Sequence, residues 1–324
     1  MALQNINLNP RMTKFLVKQE KVFVDQPLYI LDVGVRGGLE SQWKVYEDQA
    51  FHIGFEPDEI ECQKLNQQFS GKNQEFYSLA LGKQQEQQIF SVCTAPSGSS
   101  FYPANIDFLK RFPDDHLEQL KVTKTIEIET VALDSFIINN DLKYIDFIKL
   151  DAEGSELDIL KGGVEVLKKS VLGLSLEVLF HADIRNQPTF SEIDIFLNSL
   201  GFKLFDLATY RYARKTLPYP SNTFGATQKG QIMWAQALYL RDGVNEIESE
   251  PENHNWNKTK ILKLASIMEL FWLQDCAIEL IKIAEKNKIL TDENEGLIDL
   301  LTPPLQKNNT IKIVSYKDYL ANFS

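Results

Sequence analysis

The sequence predicts an α/β protein: a doubly wound, mostly parallel sheet with helices on both faces, followed by a small all-helical region at the carboxy terminus. Three observations carry that prediction. Apolar runs of strand length recur at residues 28–33, 51–55, 144–150 and 172–180, with little of the polar alternation of a half-solvated strand. Segments of helical spacing lie between them, and parallel neighbours require crossovers of that kind. The runs end in glycine-rich or acidic turns at Asp32-Val-Gly34, Glu56-Pro57 and Asp151-Ala-Glu153-Gly154, where open α/β sheets gather ligands.

Taken in order, Leu28–Val33 is a buried strand entering a tight turn through Gly34, Gly37 and Gly38, and a short helix is expected near Leu39–Tyr46. Phe51–Phe55 is the next strand, and Pro57 suits the first turn of a helix marked by Ile60 and Leu65. Residues 75–81 and 88–94 read as a third strand and a hairpin partner, followed by the flexible loop Ser97-Gly98-Ser99-Ser100. A β-rich insertion continues to Leu133, with Ile126, Ile128 and Val131 alternating. After the strand Tyr144–Leu150, Ser155 and Asp158 form a capping pattern for a helix spanning Ser155–Lys168. Leu172–Phe180 is a strand, Thr189 and Glu192 cap another helix, and the strands Phe202–Leu207 and Ile232–Leu240 finish the sheet. Ala208–Gly230, rich in Tyr, Arg, Pro and Gly, reads either as a substrate loop or as a solvated connection.

The expected organisation is an extension over residues 1–24, the α/β domain over 25–242, an acidic linker over 243–255 and helices over 256–324. Ile261, Leu264, Met268, Phe271 and Trp272 share one helical face, suited to internal packing or to an oligomer contact. With 44% hydrophobic residues among 324, the chain can bury a large core, which excludes general disorder. The net charge of −11 argues against nucleic acid as the main partner, since phosphate binding needs clustered positive charge. Cys62, Cys93 and Cys276 are scattered without metal-type spacing, and no segment approaches a membrane span or a signal peptide, so a cytoplasmic location is expected.

The turn after the first strand, Asp32-Val-Gly34-Val-Arg36-Gly37-Gly38, places an acid where the dinucleotide fingerprint has its first glycine. An acid beside glycine-exposed backbone suits a ligand with an ammonium and a carboxylate, such as the amino acid part of S-adenosylmethionine. Glu56, 24 residues beyond Asp32, stands where a carboxylate accepts bonds from ribose hydroxyls.

With those motifs in place, the chain resembles the FkbM-type S-adenosylmethionine-dependent methyltransferases. The resemblance runs through LDVGVRGG (31–38), GFEPD (54–58), LALG (79–82), VALDSF (131–136), IDFIKLDAEGSELDILKGG (145–163) and LSLEVLF (174–180), and continues to GQIMWAQALYLR (230–241). It implies a Rossmann-like class I methyltransferase fold that binds S-adenosylmethionine and releases S-adenosylhomocysteine, with O-methylation of a sugar, glycan or polyketide hydroxyl as the usual activity. The candidate cofactor contacts are then Asp32, Gly34, Gly38, Glu56, Pro57, Ala80, Ser99 and Asp151. Arg36 departs from the pattern, which commonly has Asn there, and a cation beside a sulfonium is unfavourable unless its side chain turns outward or pairs with an acid.

Asp151 is the candidate for the floor of the methyl-transfer site, and the same acid with Glu153 equally suits shaping the turn and capping the helix. His181, one residue beyond the strand ending at Phe180, is a candidate general base, and Glu177 within that strand must meet a partner or a ligand. Asp151, Glu177 and His181 also have the donor types for a divalent cation, but their spacing carries no ligand signature and no metal is predicted. Tyr210, Arg211, Tyr212 and Arg214 offer stacking and charge to a small-molecule or glycan acceptor, or form a solvated surface. Two rival readings remain open: a nicotinamide-dependent oxidoreductase, disfavoured by the missing G-x-G-x-x-G, and a methyltransferase-like scaffold without activity.

Overall fold

The computed structural model describes residues 6–38, 40–69, 73–217, 230–250, 254–291, 295–307 and 310–323. Its first six strands are β1 Leu28–Val33, β2 Ala50–Phe55, β3 Gln74–Tyr77, β4 Ala80–Gly82, β5 Glu86–Cys93 and β6 Val122–Ala132. The others are β7 Phe147–Leu150, β8 Gly173–Leu179, β9 Phe202–Tyr212, β10 Gln231–Arg241, β11 Leu305–Lys307 and β12 Thr310–Lys312. Seven strands form one sheet in the order β3-β2-β1-β7-β8-β10-β9. β1 pairs parallel with β7, β7 with β8 and β2 with β3, whereas β10 runs antiparallel to both β8 and β9. This is the expected class I arrangement.

Register explains why the apolar runs make strands. Leu31 pairs with Ile148 and Ile148 with Leu174, so their side chains share one face and join the main core with Ile193 and Leu197 of helix Phe190–Ser199. Asp32, Lys149 and Ser175 are likewise paired across β1, β7 and β8 and stand on the opposite face. A polar row therefore runs through an otherwise apolar sheet and leads to the ends of these strands.

Several expected elements are drawn differently. The run 75–81 divides: Gln74–Tyr77 joins the main sheet, while Ala80–Gly82 pairs with β6, which itself pairs antiparallel with β5. Ser41–Gln49 is a 3-10 segment kinked at Glu47, whose φ is +53°. The helix expected over Ser155–Lys168 breaks into Glu156–Gly162 and Val164–Lys169, because the chain leaves helical geometry at Gly163. Ser155 makes no capping bond. The carboxylate of Glu156 instead accepts from Ala152 N (2.8 Å) and Gly154 N (3.0 Å), and Asp158 accepts from Tyr102 Oη (2.6 Å). β9 continues through Tyr212, so the expected loop from Ala208 begins as strand, and residues 218–229 lie outside the described residues.

The described residues form two compact units, one built of Tyr29–Leu39 and Phe51–Arg241, the other of the chain up to Leu28, Glu40–Ala50 and the chain from Asp242 on. The second unit gathers pieces from both ends of the chain. Helix Arg11–Lys18 has Pro10 at its amino end and no side-chain cap of its own. Glu269, 2% exposed on helix Lys258–Leu270, supplies the missing acceptor: its carboxylate takes Met12 N (3.0 Å), Thr13 N (2.7 Å) and Thr13 Oγ1 (2.8 Å). Tyr46 Oη lies 2.8 Å from Ser266 Oγ, and Gln49 Nε2 donates to Val17 O (2.7 Å). Part of the segment expected as a linker is helix Gly243–Ser249, capped by Asp242 through Asn245 N (3.0 Å). The carboxy-terminal region is not helical throughout, since β11 and β12 form a hairpin.

Candidate functional site

The turn after β1 is held between its neighbours. Gly34 N and Val35 N both donate to Phe55 O (3.0 and 3.3 Å), and Asp151 N donates to Val33 O (3.1 Å). Gly34 has φ +80°, and a Cβ there would lie 2.1 Å from the carbonyl oxygen of Asp151, so two strand-end turns meet where only glycine fits. Beside them opens a cavity of about 440 Å³.

One side of this cavity is lined by Gly34, Arg36, Glu56 and Pro57, with Ala80 and Ser99 close by in the lining. Glu56 is buried, and both described contacts of its carboxylate fall on Oε1: Asp58 N at 3.0 Å and Arg36 Nη2 at 3.4 Å. Burial pushes the Glu56 carboxyl up, opposed by the Asp58 amide and by Arg36. Arg36 reaches Asp58 as well (2.9 Å), so the cation that departs from the family pattern is paired with acids.

The opposite side carries Asp151, Glu153 and Glu177, each offering a carboxylate oxygen within 4.8 Å of the other two. Glu153 has φ +53°, an uncommon conformation for a non-glycine residue, and its turn is anchored from outside. Arg185, buried, donates to Glu153 Oε2 (2.7 Å), Gly98 O (3.1 Å) and Tyr102 O (3.0 Å), and Ser100 Oγ donates to Glu153 O (2.6 Å). The loop containing Ser99 is thereby fastened to the acidic turn. Burial pushes the Glu177 carboxyl well up, with Glu153, Asp151 and Glu156 adding to the effect. Burial likewise raises Glu153, against the pull of Arg185, and Glu156 is pushed up to about 8.

Of the residues singled out in the sequence, Gly34, Glu56, Pro57, Ala80, Ser99, Asp151 and Glu177 line one cavity. Asp32, Gly38 and His181 do not. Asp32 is 3% exposed and its Oδ1 accepts from Lys149 Nζ at 3.1 Å, so it braces a lysine that also lies 3.8 Å from Asp151 Oδ2. His181 Nε2 lies 2.8 Å from Ile232 O and 3.0 Å from Gln231 Nε2, which turns the ring toward β10. Of Tyr210, Arg211, Tyr212 and Arg214, Tyr212 alone lines the cavity, its hydroxyl accepting from Trp234 Nε1 (3.1 Å), while Tyr210 stacks on Trp234 with ring centroids 3.8 Å apart. Arg211 donates to Gly230 O (3.1 Å), and Arg214 hydrogen-bonds Gln231 and lies over the Phe112 ring.

Sequence reasoning missed Arg185, Ser155 and Trp234. Arg185 and Trp234 sit in segments whose pattern speaks only of loop or buried strand, and Ser155 was assigned to a cap that Glu156 provides instead. The glutamate two residues after Asp151 was the available signal for the acid cluster.

A family model described as the methyltransferase FkbM domain matches residues 32–204. Among solved structures the chain is similar to methyltransferase FkbM from Methylobacillus flagellatus KT, at 15% identity and a TM-score of 0.38, covering 70% of this chain and 47% of that one. The chain thus spans less than half the length of that relative. It is also similar to magnesium protoporphyrin IX methyltransferase from Synechocystis PCC 6803, solved with bound SAM (10% identity, TM-score 0.34, 74% of this chain and 87% of that one). The same enzyme with bound SAH gives a TM-score of 0.34 at 10% identity, covering 74% and 90%. No curated protein matches the sequence. Among the described residues no helix is long and apolar enough to cross a membrane.

Proposed function

Because the chain belongs to the methyltransferase FkbM domain family, we propose that it transfers the methyl group of S-adenosylmethionine to a hydroxyl oxygen of a sugar, glycan or polyketide-type acceptor. The observation that carries this reading is the convergence in one cavity of the glycine turn, the nucleotide-type acid Glu56 and the carboxylates of Asp151 and Glu177. The residues fit the cofactor: the cavity is within the size range of small-molecule sites, roughly 300–1,000 Å³, and Glu56 presents a carboxylate to it with both described contacts on a single oxygen.

When bound, the cofactor supplies a methyl group on a positively charged sulfur. Glu56 holds the ribose hydroxyls, and the backbone around Gly34 admits the amino acid part. Asp151 and Glu177 would face the bound cofactor and orient the acceptor hydroxyl, whose proton would pass to water as the methyl arrives. Leu179, Tyr212 and Trp234 wall the acceptor side with apolar and aromatic surface and exclude water. His181, committed to the Ile232 carbonyl, is left out of this set.

Titration calorimetry with S-adenosylhomocysteine, beside NAD as a control, tests the assignment. Saturable binding of the former alone supports it. Binding of NAD alone would favour the oxidoreductase, and binding of neither would favour a scaffold on a methyltransferase fold.

A further inference from the structure

We propose that Asp151, Glu153 and Glu177 form a site for one hard divalent cation, of the magnesium, manganese or calcium class. Their oxygens lie within 4.8 Å of one another, and a cation holding oxygens at about 2.1–2.6 Å spans such a set with small side-chain shifts. Donors that are all oxygen select hard cations over zinc or copper.

Charge points the same way. Lys149 and Arg185 are the cations paired with these acids, and they already serve Asp32, Asp151 and Glu153. Glu177 makes no ion pair or hydrogen bond among the described residues, so its carboxylate is open to a cation. A charged carboxylate without a partner at a partly buried position is expensive, and a bound cation would offset that cost. Glu156 does not add to the donor set, because its carboxylate is committed to Ala152 N and Gly154 N.

A second observation is independent of the acids. Ser155 is 4% exposed, lines the same cavity, and its Oγ is buried without a hydrogen-bond partner. A buried hydroxyl without a partner is uncommon and costs about 1–3 kcal/mol. Since Glu156 does the capping, the Ser155 hydroxyl is left as a further neutral oxygen donor beside the acids. The set differs from the one the sequence suggested: Glu153 takes the place of His181, whose ring is held on β10.

The site rests on the proposed methyl transfer only for its use, which is to hold the acceptor oxygen; the hydroxyl proton then passes to water, and the carboxylates act as ligands. Binding itself needs neither cofactor nor acceptor. The test is therefore titration of the full chain with manganese, followed by electron paramagnetic resonance and calorimetry, with S-adenosylhomocysteine affinity measured on the same preparation. One manganese per chain is expected, weakened roughly tenfold or more by Glu177→Gln and by Asp151→Asn, and displaced by magnesium. Ser155→Ala should weaken it by a smaller factor at a melting temperature no lower than wild type, since it removes an unpartnered buried hydroxyl. Absence of manganese binding up to about 10 mM, beyond the weakest sites of this kind, or equal affinity in wild type and both acid variants, would overturn the proposal whether or not S-adenosylhomocysteine binds. Loss of S-adenosylhomocysteine binding with manganese binding intact would instead count against the methyltransferase reading alone.

Discussion

Replacing Gly34 by alanine separates two costs that are usually confounded. The first is conformational: φ at Gly34 is +80°, where an L side chain costs about 1–2 kcal/mol. The second is steric, since the new Cβ would lie 2.1 Å from the Asp151 carbonyl oxygen, a backbone atom that cannot rotate away. Forced overpacking of this kind costs about 1–3 kcal/mol or more, so Gly34→Ala should destabilise by about 2–5 kcal/mol in all. Gly37 provides the control. Its φ is +84°, yet a Cβ there meets nothing within 4 Å, so Gly37→Ala should show only the conformational part, about 1–2 kcal/mol. Urea unfolding followed by far-ultraviolet circular dichroism measures both, and calorimetry with S-adenosylhomocysteine reports whether the turn still binds. Equal losses in the two variants would refute the argument that the β1 and β7 turns are locked by contact at Gly34. So would full stability and full affinity in Gly34→Ala.

Other changes test other links. Glu56→Gln should weaken S-adenosylhomocysteine binding by about 1–3 kcal/mol, the range for losing a charged hydrogen-bond acceptor, and unchanged calorimetric affinity would remove Glu56 from the site. Glu269→Gln should lower stability by about 1–3 kcal/mol and raise amide exchange in Arg11–Lys18, because three donors of that helix's first turn lose a charged acceptor; exchange no faster than wild type would refute that role. His52 is held neutral by burial, its pKa pushed down to about 4, so the unfolded chain binds a proton that the folded one refuses as pH falls from about 6.5. Stability should decline across that window by up to about 3 kcal/mol at pH 4, and His52→Leu should flatten the difference; parallel stability curves for the two proteins would rule out the histidine as the cause.

The alternation of strands and helices was readable because burial on both faces imposes long apolar runs that polar loops interrupt. The glycine turn, Glu56 and Asp151 stood out for the related reason that strand ends in such sheets are where a chain can place unusual residues, and Glu177 because a carboxylate inside an apolar strand is costly without a partner or ligand. Pairings between distant segments left no local trace. Nothing around Asp32 announces Lys149, nor anything around Glu153 the arginine at position 185, since a partner's identity depends on register between strands and on loop paths. The Ser155 cap was misread because serine at that position followed by an acid fits the common pattern, and only the folded turn shows that Glu156 reaches back to two amides. The docking of helix Arg11–Lys18 was invisible for the same reason: an uncapped helix start looks merely weak until Glu269 is placed against it.

That last contact joins segments more than 250 residues apart. During synthesis the helix Arg11–Lys18 leaves the ribosome with its amino-terminal amides unsatisfied, and their acceptor emerges only after more than 250 further residues. Closing so long a loop carries a chain-entropy cost that grows with the logarithm of its length, so this contact forms late. The helical unit is therefore not a cassette that truncation could remove from one end: cutting the chain before Glu269 would strand the amino-terminal helix and the 3-10 segment that complete the same core.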